Sequence, residues 1–287
     1  MRRIAVVNLK GGSAKTTTAL CLAVGMARAG RRVLLIDADS QGNASMTMAG
    51  GEGEGGPTLG HVLLGQATAA DAIRPTRVEG LDLLPADGSL ADAALHLAEA
   101  IGREHRFRRA LDALGSGYDA AIVDCPPQLS LVSVNVLAGV AEIVVPVDAG
   151  IYSVAGLAQL QGAVADVREY LGNAALRVAG LVMTKAHNNR ATRDIEAQLR
   201  EAYGDLVFRS TVPHSVKVEE AHARHLTVIE FAPSSAPAKA YLSLCAEILT
   251  DGQPSEQPGD PDAADGADAT DDDQPAPTPA RRGRRAG

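Results

Sequence analysis

An α/β fold, a mostly parallel twisted sheet with helices on both faces, is the architecture that the patterning of this chain predicts. Short apolar runs recur at residues 4–7, 33–36, 81–84, 120–123, 143–147 and 178–183. Several of these runs are continuous rather than alternating, as strands covered on both faces require. Between them lie helix-like segments at 16–29, 90–114, 154–171 and 193–203, with Gly30 where a helix-ending glycine belongs. The composition then breaks near residue 250. Residues 251–280 hold nine acidic side chains and no basic one among Pro, Gly, Ala and Gln, and Arg281-Arg282-Gly283-Arg284-Arg285 follows. Such a stretch cannot bury enough apolar surface to order itself. The expected organisation is therefore one domain over 1–250 and a disordered tail over 251–287.

With 287 residues, 46% of them hydrophobic, the chain can bury one sizeable core. Three Phe, five Tyr and no Trp leave most of the packing to Ala, Val and Leu. The net charge is −8, of which the tail carries −5, so the body carries −3 and needs a local basic patch if it is to hold a polyanion. Cys21, Cys125 and Cys245 are widely separated and lack the spacing of a zinc or iron–sulfur site, so they read as buried thiols of a reduced protein. The first apolar run is too short for a signal peptide core, and no run reaches membrane-spanning length. The expectation is a cytoplasmic protein with no membrane partner.

The strongest chemical signal is Lys10-Gly11-Gly12-Ser13-Ala14-Lys15-Thr16-Thr17, placed between the first strand and the first helix. This is the setting of a P-loop. Glycines let backbone N–H groups curl around phosphate oxygens, and the helix N-terminus adds partial positive charge there. Lys15 can reach the β- and γ-phosphates, and the Thr16 hydroxyl can ligate Mg²⁺. Two carboxylate-tipped runs follow. Asp37-Ala38-Asp39 ends the second, before Ser40-Gln41-Gly42-Asn43; Asp124 ends the run at 120–123, before Cys125-Pro126-Pro127. Asp124 fits the acid that holds Mg²⁺ through water, and the two prolines stop its strand. The chain therefore reads as a P-loop NTPase using ATP and Mg²⁺.

The additional lysine, Lys10, makes the loop resemble the deviant Walker A motif KGGxGKTT of the ParA/MinD group, and the match over 1–250 is most similar to Soj-like chromosomal ParA proteins. Later landmarks agree: the strand end at Pro146-Val147, Tyr152, Gly156-Leu157, Val212-Pro213 before Val216, and a closing helix at 236–249. The resemblance implies a slow, partner-stimulated ATPase that forms an ATP-dependent homodimer. Its catalytic residues would be Lys10, Lys15 and Asp39. Lys10 reaches the partner's nucleotide and Asp39 orients the attacking water. Asp37 stands close behind the metal site of Thr16 and Asp124. Nucleotide contacts fall on Lys10, Gly11, Gly12, Ser13, Ala14, Lys15, Thr16 and Thr17, with Pro213 near the adenine. Ala14 departs from the usual glycine, at a cost of about 1 kcal/mol if its φ is positive. Ser40 replaces a proline, and Gly150 and Ala155 stand where the family often has glutamates.

The resemblance further implies nonspecific DNA as track and a ParB-like stimulating partner, in plasmid or chromosome partition on the nucleoid. The DNA-binding candidates are Arg190, Arg193, Lys217 and Arg224. In the segment resembling PRNVRLSEAP, two arginine positions are His214 and Lys217. A ParA-like ATPase that positions a protein cargo over the nucleoid is the alternative, and a metabolic enzyme with the same loop is a more distant one. A MinD-like membrane anchor is not expected of an acidic, Pro-rich tail.

Overall fold

The computed structural model describes residues 1–49, 55–148 and 153–251. The chain divides into two units, Met1–Gly252 and Gln253–Gly287. The acidic stretch, the arginine cluster, most of the glycine-rich loop at 50–56, Gly150 and Tyr152 lie outside the described residues.

Among the described residues, eight strands form one sheet: β1 (Arg2–Val6), β2 (Val33–Asp37), β3 (Arg74–Pro75), β4 (Leu81–Leu84), β5 (Ala120–Asp124), β6 (Glu142–Asp148), β7 (Arg177–Ala186) and β8 (Val207–Pro213). Their order is β3-β4-β2-β5-β1-β6-β7-β8. Every neighbouring pair is parallel except the short edge pair β3–β4. The helices are α1 (Lys15–Arg28), α2 (Asn43–Met48), α3 (Leu59–Leu64), α4 (Ala69–Ala72), α5 (Ser89–Leu97), α6 (Arg106–Asp112), α7 (Leu131–Gly139), α8 (Ser153–Tyr170), α9 (Arg190–Tyr203), α10 (Val216–His222), α11 (Val228–Phe231) and α12 (Ala236–Asp251).

The continuous apolar strands are explained by two separate cores. Ala5, Leu34, Ile36, Ala121, Val123 and Ile143 point to one face, against α3, α5, α6, α7 and α8. Ile4, Val6, Val33, Leu35, Ile122 and Val144 point to the other, against α1 and α12. Alternate residues of one strand thus enter different cores, so both sets must be apolar. Helix α1 is enclosed: every residue from 17 to 27 is buried. Its Ala-rich sequence lets it lie close to both the sheet and α12.

Two sequence expectations change. The helix expected at 90–114 is two helices, α5 and α6, joined through a 3₁₀ turn at Arg103–His105. Gly102 at φ 64° turns the chain where a continuous helix would run. The apolar residues Leu95 and Ile101 that extended the periodicity are 74% and 95% exposed. The sheet also gains an edge strand, β8, which the mixed sequence Val-Phe-Arg-Ser-Thr-Val-Pro does not announce. The three cysteines are free and buried, as expected.

Candidate active site

In a parallel sheet the carboxyl ends of the strands open onto a crevice where the strand order reverses. Here β1 lies between β5 and β6, and the chain leaves it through the phosphate loop. Asn8 anchors the loop. Its Nδ2 donates to the Pro146 carbonyl at 2.6 Å, and its Oδ1 accepts from the Lys10 N–H at 2.9 Å. Ser13 Oγ and Lys15 Nζ both donate to the Lys10 carbonyl, at 3.1 and 3.2 Å. Gly12 has φ 72° and Ala14 has φ 65°, both left-handed. Alanine at position 14 therefore bears the steric cost of a left-handed backbone, about 1 kcal/mol. The loop carbonyls are engaged by side chains, which leaves its N–H groups for an anion.

The acids stand beside the loop. Asp37 and Asp124 are register partners at the ends of β2 and β5, and both are fully buried. Asp37 is saturated: it accepts from Ser45 N and Ser45 Oγ, both at 2.8 Å, and from Asp39 N at 3.1 Å. Among the described residues, neither carboxylate oxygen of Asp124 has a partner in hydrogen-bonding geometry. Burial pushes the Asp124 carboxyl well up, and the Asp37 charge adds to this; the nearby Thr16 hydroxyl and Lys15 ammonium oppose it. Burial likewise raises Asp37 to about 6, against its hydrogen bonds from Ser45 and Asp39. Burial depresses the Lys15 ammonium, while the charges of Asp124 and Asp39 act to hold its proton.

An orphaned buried carboxylate next to a threonine hydroxyl and a phosphate-shaped loop fits a hydrated divalent cation. Mg²⁺ keeps several waters and binds through one or two protein groups plus phosphate oxygens, so it does not require a full cage of acids. Among the described residues no such cage of His, Cys, Asp or Glu exists. Asp39 is half-buried at the cavity wall, with its Oδ1 accepting from Gln41 N at 3.0 Å. A second oxygen of that carboxylate is left for a water molecule. Lys10 Nζ contacts both oxygens of Asp148, at 3.0 and 2.9 Å.

The cavity has a volume of about 450 Å³. Residues 11–17 and Asp39 line it together with Val212, Pro213, His214, Glu219 and His222. Thr17 Oγ1 meets His222 Nε2 at 3.3 Å, and Thr18 Oγ1 meets the buried Tyr241 hydroxyl at 3.3 Å, so the start of α1 is tied to α10 and α12. Burial lowers the His222 pKa, which favours the neutral ring.

The DNA-binding candidates Arg190, Arg193, Lys217 and Arg224 do not themselves line this cavity, although Ser215, Val218, Glu219 and His222 around Lys217 do. Arg190 is 90% exposed and faces Asp194 at 3.6 Å. Arg193 is exposed and makes no ion pair among the described residues. Lys217 pairs with Glu220 at 2.8 Å, and the Arg224 guanidinium lies 4.9 Å from the Phe231 ring centre. His187 and His214 stack with ring centres 4.6 Å apart, joining the loops that launch α9 and α10. The structure therefore brings Lys15, Thr16, Asp37, Asp39, Asp124 and Pro213 around one site, while none of the four basic residues lines its cavity. Sequence reading missed Asn8, Ser45, Asp148, Lys185 and His222. For Asp148 and Lys185 a signal existed: each is a charged residue at the carboxyl end of an apolar run.

Residues 1–178 match the family model described as an AAA domain. The sporulation initiation inhibitor protein Soj of Bacillus subtilis (strain 168) is 36% identical over 251 residues, covering 87% of this chain and 98% of Soj. The chromosome partitioning protein ParA of Caulobacter vibrioides is 35% identical over 253 residues, covering 87% and 94%. The chromosome-partitioning ATPase Soj of Thermus thermophilus is 39% identical over 250 residues, covering 87% and 96%. Among solved structures, the cobyrinic acid a,c-diamide synthase of Mycobacterium smegmatis with bound ADP and magnesium superposes with a TM-score of 0.75 at 30% identity, covering 87% of this chain and 94% of that one. The MinD protein of Pyrococcus horikoshii shares the fold, with a TM-score of 0.68 at 23% identity. Identity sustained over nearly the full length of these relatives, together with the phosphate loop and its acids, places the chain in a family: it belongs to the Soj/ParA family of P-loop ATPases.

Proposed function

We propose that this protein is a partition switch: it binds ATP with Mg²⁺, dimerises, holds nonspecific DNA, and lets go when a ParB-like partner stimulates hydrolysis. The observation that carries the reading is the unpartnered, buried Asp124 carboxylate beside Lys15, Thr16 and Asp39. The ATP and magnesium follow from the ligands of the structural relatives and from the fit of these residues.

Thr16 and Asp124 would hold Mg²⁺, Asp124 through water. When bound, the ion would supply the positive charge that neutralises the phosphate oxygens. Lys15 adds charge at the same oxygens. The free oxygen of Asp39 accepts a hydrogen bond from the attacking water and aims it at the γ-phosphorus. Asp37 fixes the Asp39 N–H and so sets where that carboxylate sits. Lys10 would exchange Asp148 for the partner protomer's nucleotide, where its charge stabilises the transferring phosphoryl group. Arg190 and Arg193 of α9, Lys217 of α10 and Arg224 just after it would contact DNA phosphates. Association with the nucleoid follows from that contact.

A salt titration of DNA binding with ATP-bound protein, wild type against Lys217→Ala, tests the proposal. The expected result is binding with ATP and none with ADP, and a log–log salt slope about 0.9 flatter in the variant. Identical slopes and affinities would move the DNA surface elsewhere; no ATP-dependent binding at any salt would remove DNA as the track.

A further inference from the structure

The phosphate loop is gripped from an unexpected side. Two residues near the end of β7 reach the loop carbonyls. Lys185 Nζ donates to the Gly12 carbonyl at 2.7 Å, and the buried Thr184 hydroxyl lies 3.4 Å from both the Ser13 and the Val147 carbonyls, with one proton to share between them. Lys185 makes no ion pair among the described residues, and it lines the same cavity as the loop. Its backbone is left-handed, with φ 52°. A lysine rarely adopts that region, which glycine enters without steric cost. A surface lysine with only a solvated role would give no reason for its place there.

We infer that Lys185 is a positioning residue of the phosphate loop: its ammonium pins the Gly12 carbonyl outward, so that the next N–H faces the nucleotide's phosphates. A peptide group is planar and trans, so fixing the carbonyl of Gly12 fixes the N–H of Ser13 on the opposite side. This grip sets the direction of that donor before any anion arrives, which lowers the ordering cost of binding. The ammonium also brings a third positive charge to a loop that already has Lys15, with Lys10 held by Asp148. The benefit grows with the number of phosphate charges.

The test uses the full chain and three variants: Lys185→Gly, Lys185→Met and Lys185→Arg. Fluorescent ATP and ADP analogues are titrated in the presence of Mg²⁺, and thermal unfolding is followed without nucleotide. Lys185→Gly removes the cation but relieves the backbone, so its unliganded melting temperature should stay equal or rise while its Kd for ATP rises about tenfold. The loss should be smaller for ADP, and Lys185→Arg should recover most of it. KM for ATP should rise more than kcat falls. Wild-type ATP affinity in Lys185→Gly would overturn the inference, as would an equal loss in Lys185→Arg and Lys185→Gly. If Lys185→Met does not fold, the glycine variant still decides.

Discussion

The ends of β2 and β5 lie side by side and carry the same residue, yet they have been built for different tasks. Asp37 is saturated by three donors, two from Ser45 and one from Asp39. Among the described residues neither buried oxygen of Asp124, its register partner, has a donor in hydrogen-bonding geometry, although the Thr16 hydroxyl stands nearby. A buried carboxylate without partners is strongly unfavourable. Asp37 therefore acts as a structural acceptor that organises the turn into α2. Asp124 keeps its lone pairs for something that arrives from outside. The comparison teaches that the active site is recognised by what the fold leaves unsatisfied, more than by which acids it contains.

The largest effect should come from Asp124→Asn. Turnover should fall by at least about a hundredfold, because the Mg²⁺ contact and its charge are lost, while the unliganded protein becomes more stable near neutral pH. ATPase assays and urea unfolding of the same preparation check both halves. If Asp124→Asn weakens the unliganded fold, the carboxylate is satisfied in solution and the contrast fails. Asp37→Ala should behave oppositely. It leaves three donors at a buried site without an acceptor, so the unliganded fold should lose roughly 3 kcal/mol by urea unfolding.

A pH series sharpens the same contrast. Both carboxyls are raised in the folded state, Asp37 to about 6, chiefly by burial. A raised folded pKa means that the folded state favours the protonated form. The stability from these groups is complete below the ordinary carboxyl range and is lost as pH rises through their folded values, about 6 for Asp37 and well above the ordinary range for Asp124. Without nucleotide or Mg²⁺, the stability advantage of Asp124→Asn over wild type should therefore grow between pH 5 and pH 8. Unfolding at three pH values measures it, and a constant difference would contradict it. The smallest effect belongs to Ser45→Ala. It removes the hydroxyl donor to Asp37 and should cost about 1 kcal/mol, seen as a lower urea midpoint with little change in the slope.

Much of the fold was legible because it is local. Continuous apolar runs separated by helical patterns must become a parallel sheet with two covered faces, since each strand feeds alternate side chains to separate cores. The loop from Lys10 to Thr17 declared itself by residue type and order, and Asp37, Asp39 and Asp124 by standing at the ends of apolar runs. The helix expected at 90–114 failed for a physical reason: Leu95 and Ile101 kept the apolar period alive although the chain turns at Gly102 and leaves both exposed. Edge strand β8 was missed because its Arg209-Ser210-Thr211 interrupts the apolar run, and it needs β7 beside it to be a strand.

The sequence by itself determined the phosphate loop, its cations and its acids, because chemistry of that kind is written in residue identity and short spacing. It could not distinguish Asp37 from Asp124, since satisfaction of a carboxylate depends on donors such as Ser45 that only the turn into α2 supplies. Nor could it show Lys10 against Asp148, Lys185 on the Gly12 carbonyl or His222 on Thr17. These contacts join residues more than a hundred positions apart, and only the order of β1, β6, β7 and β8 in the sheet brings them within hydrogen-bond reach.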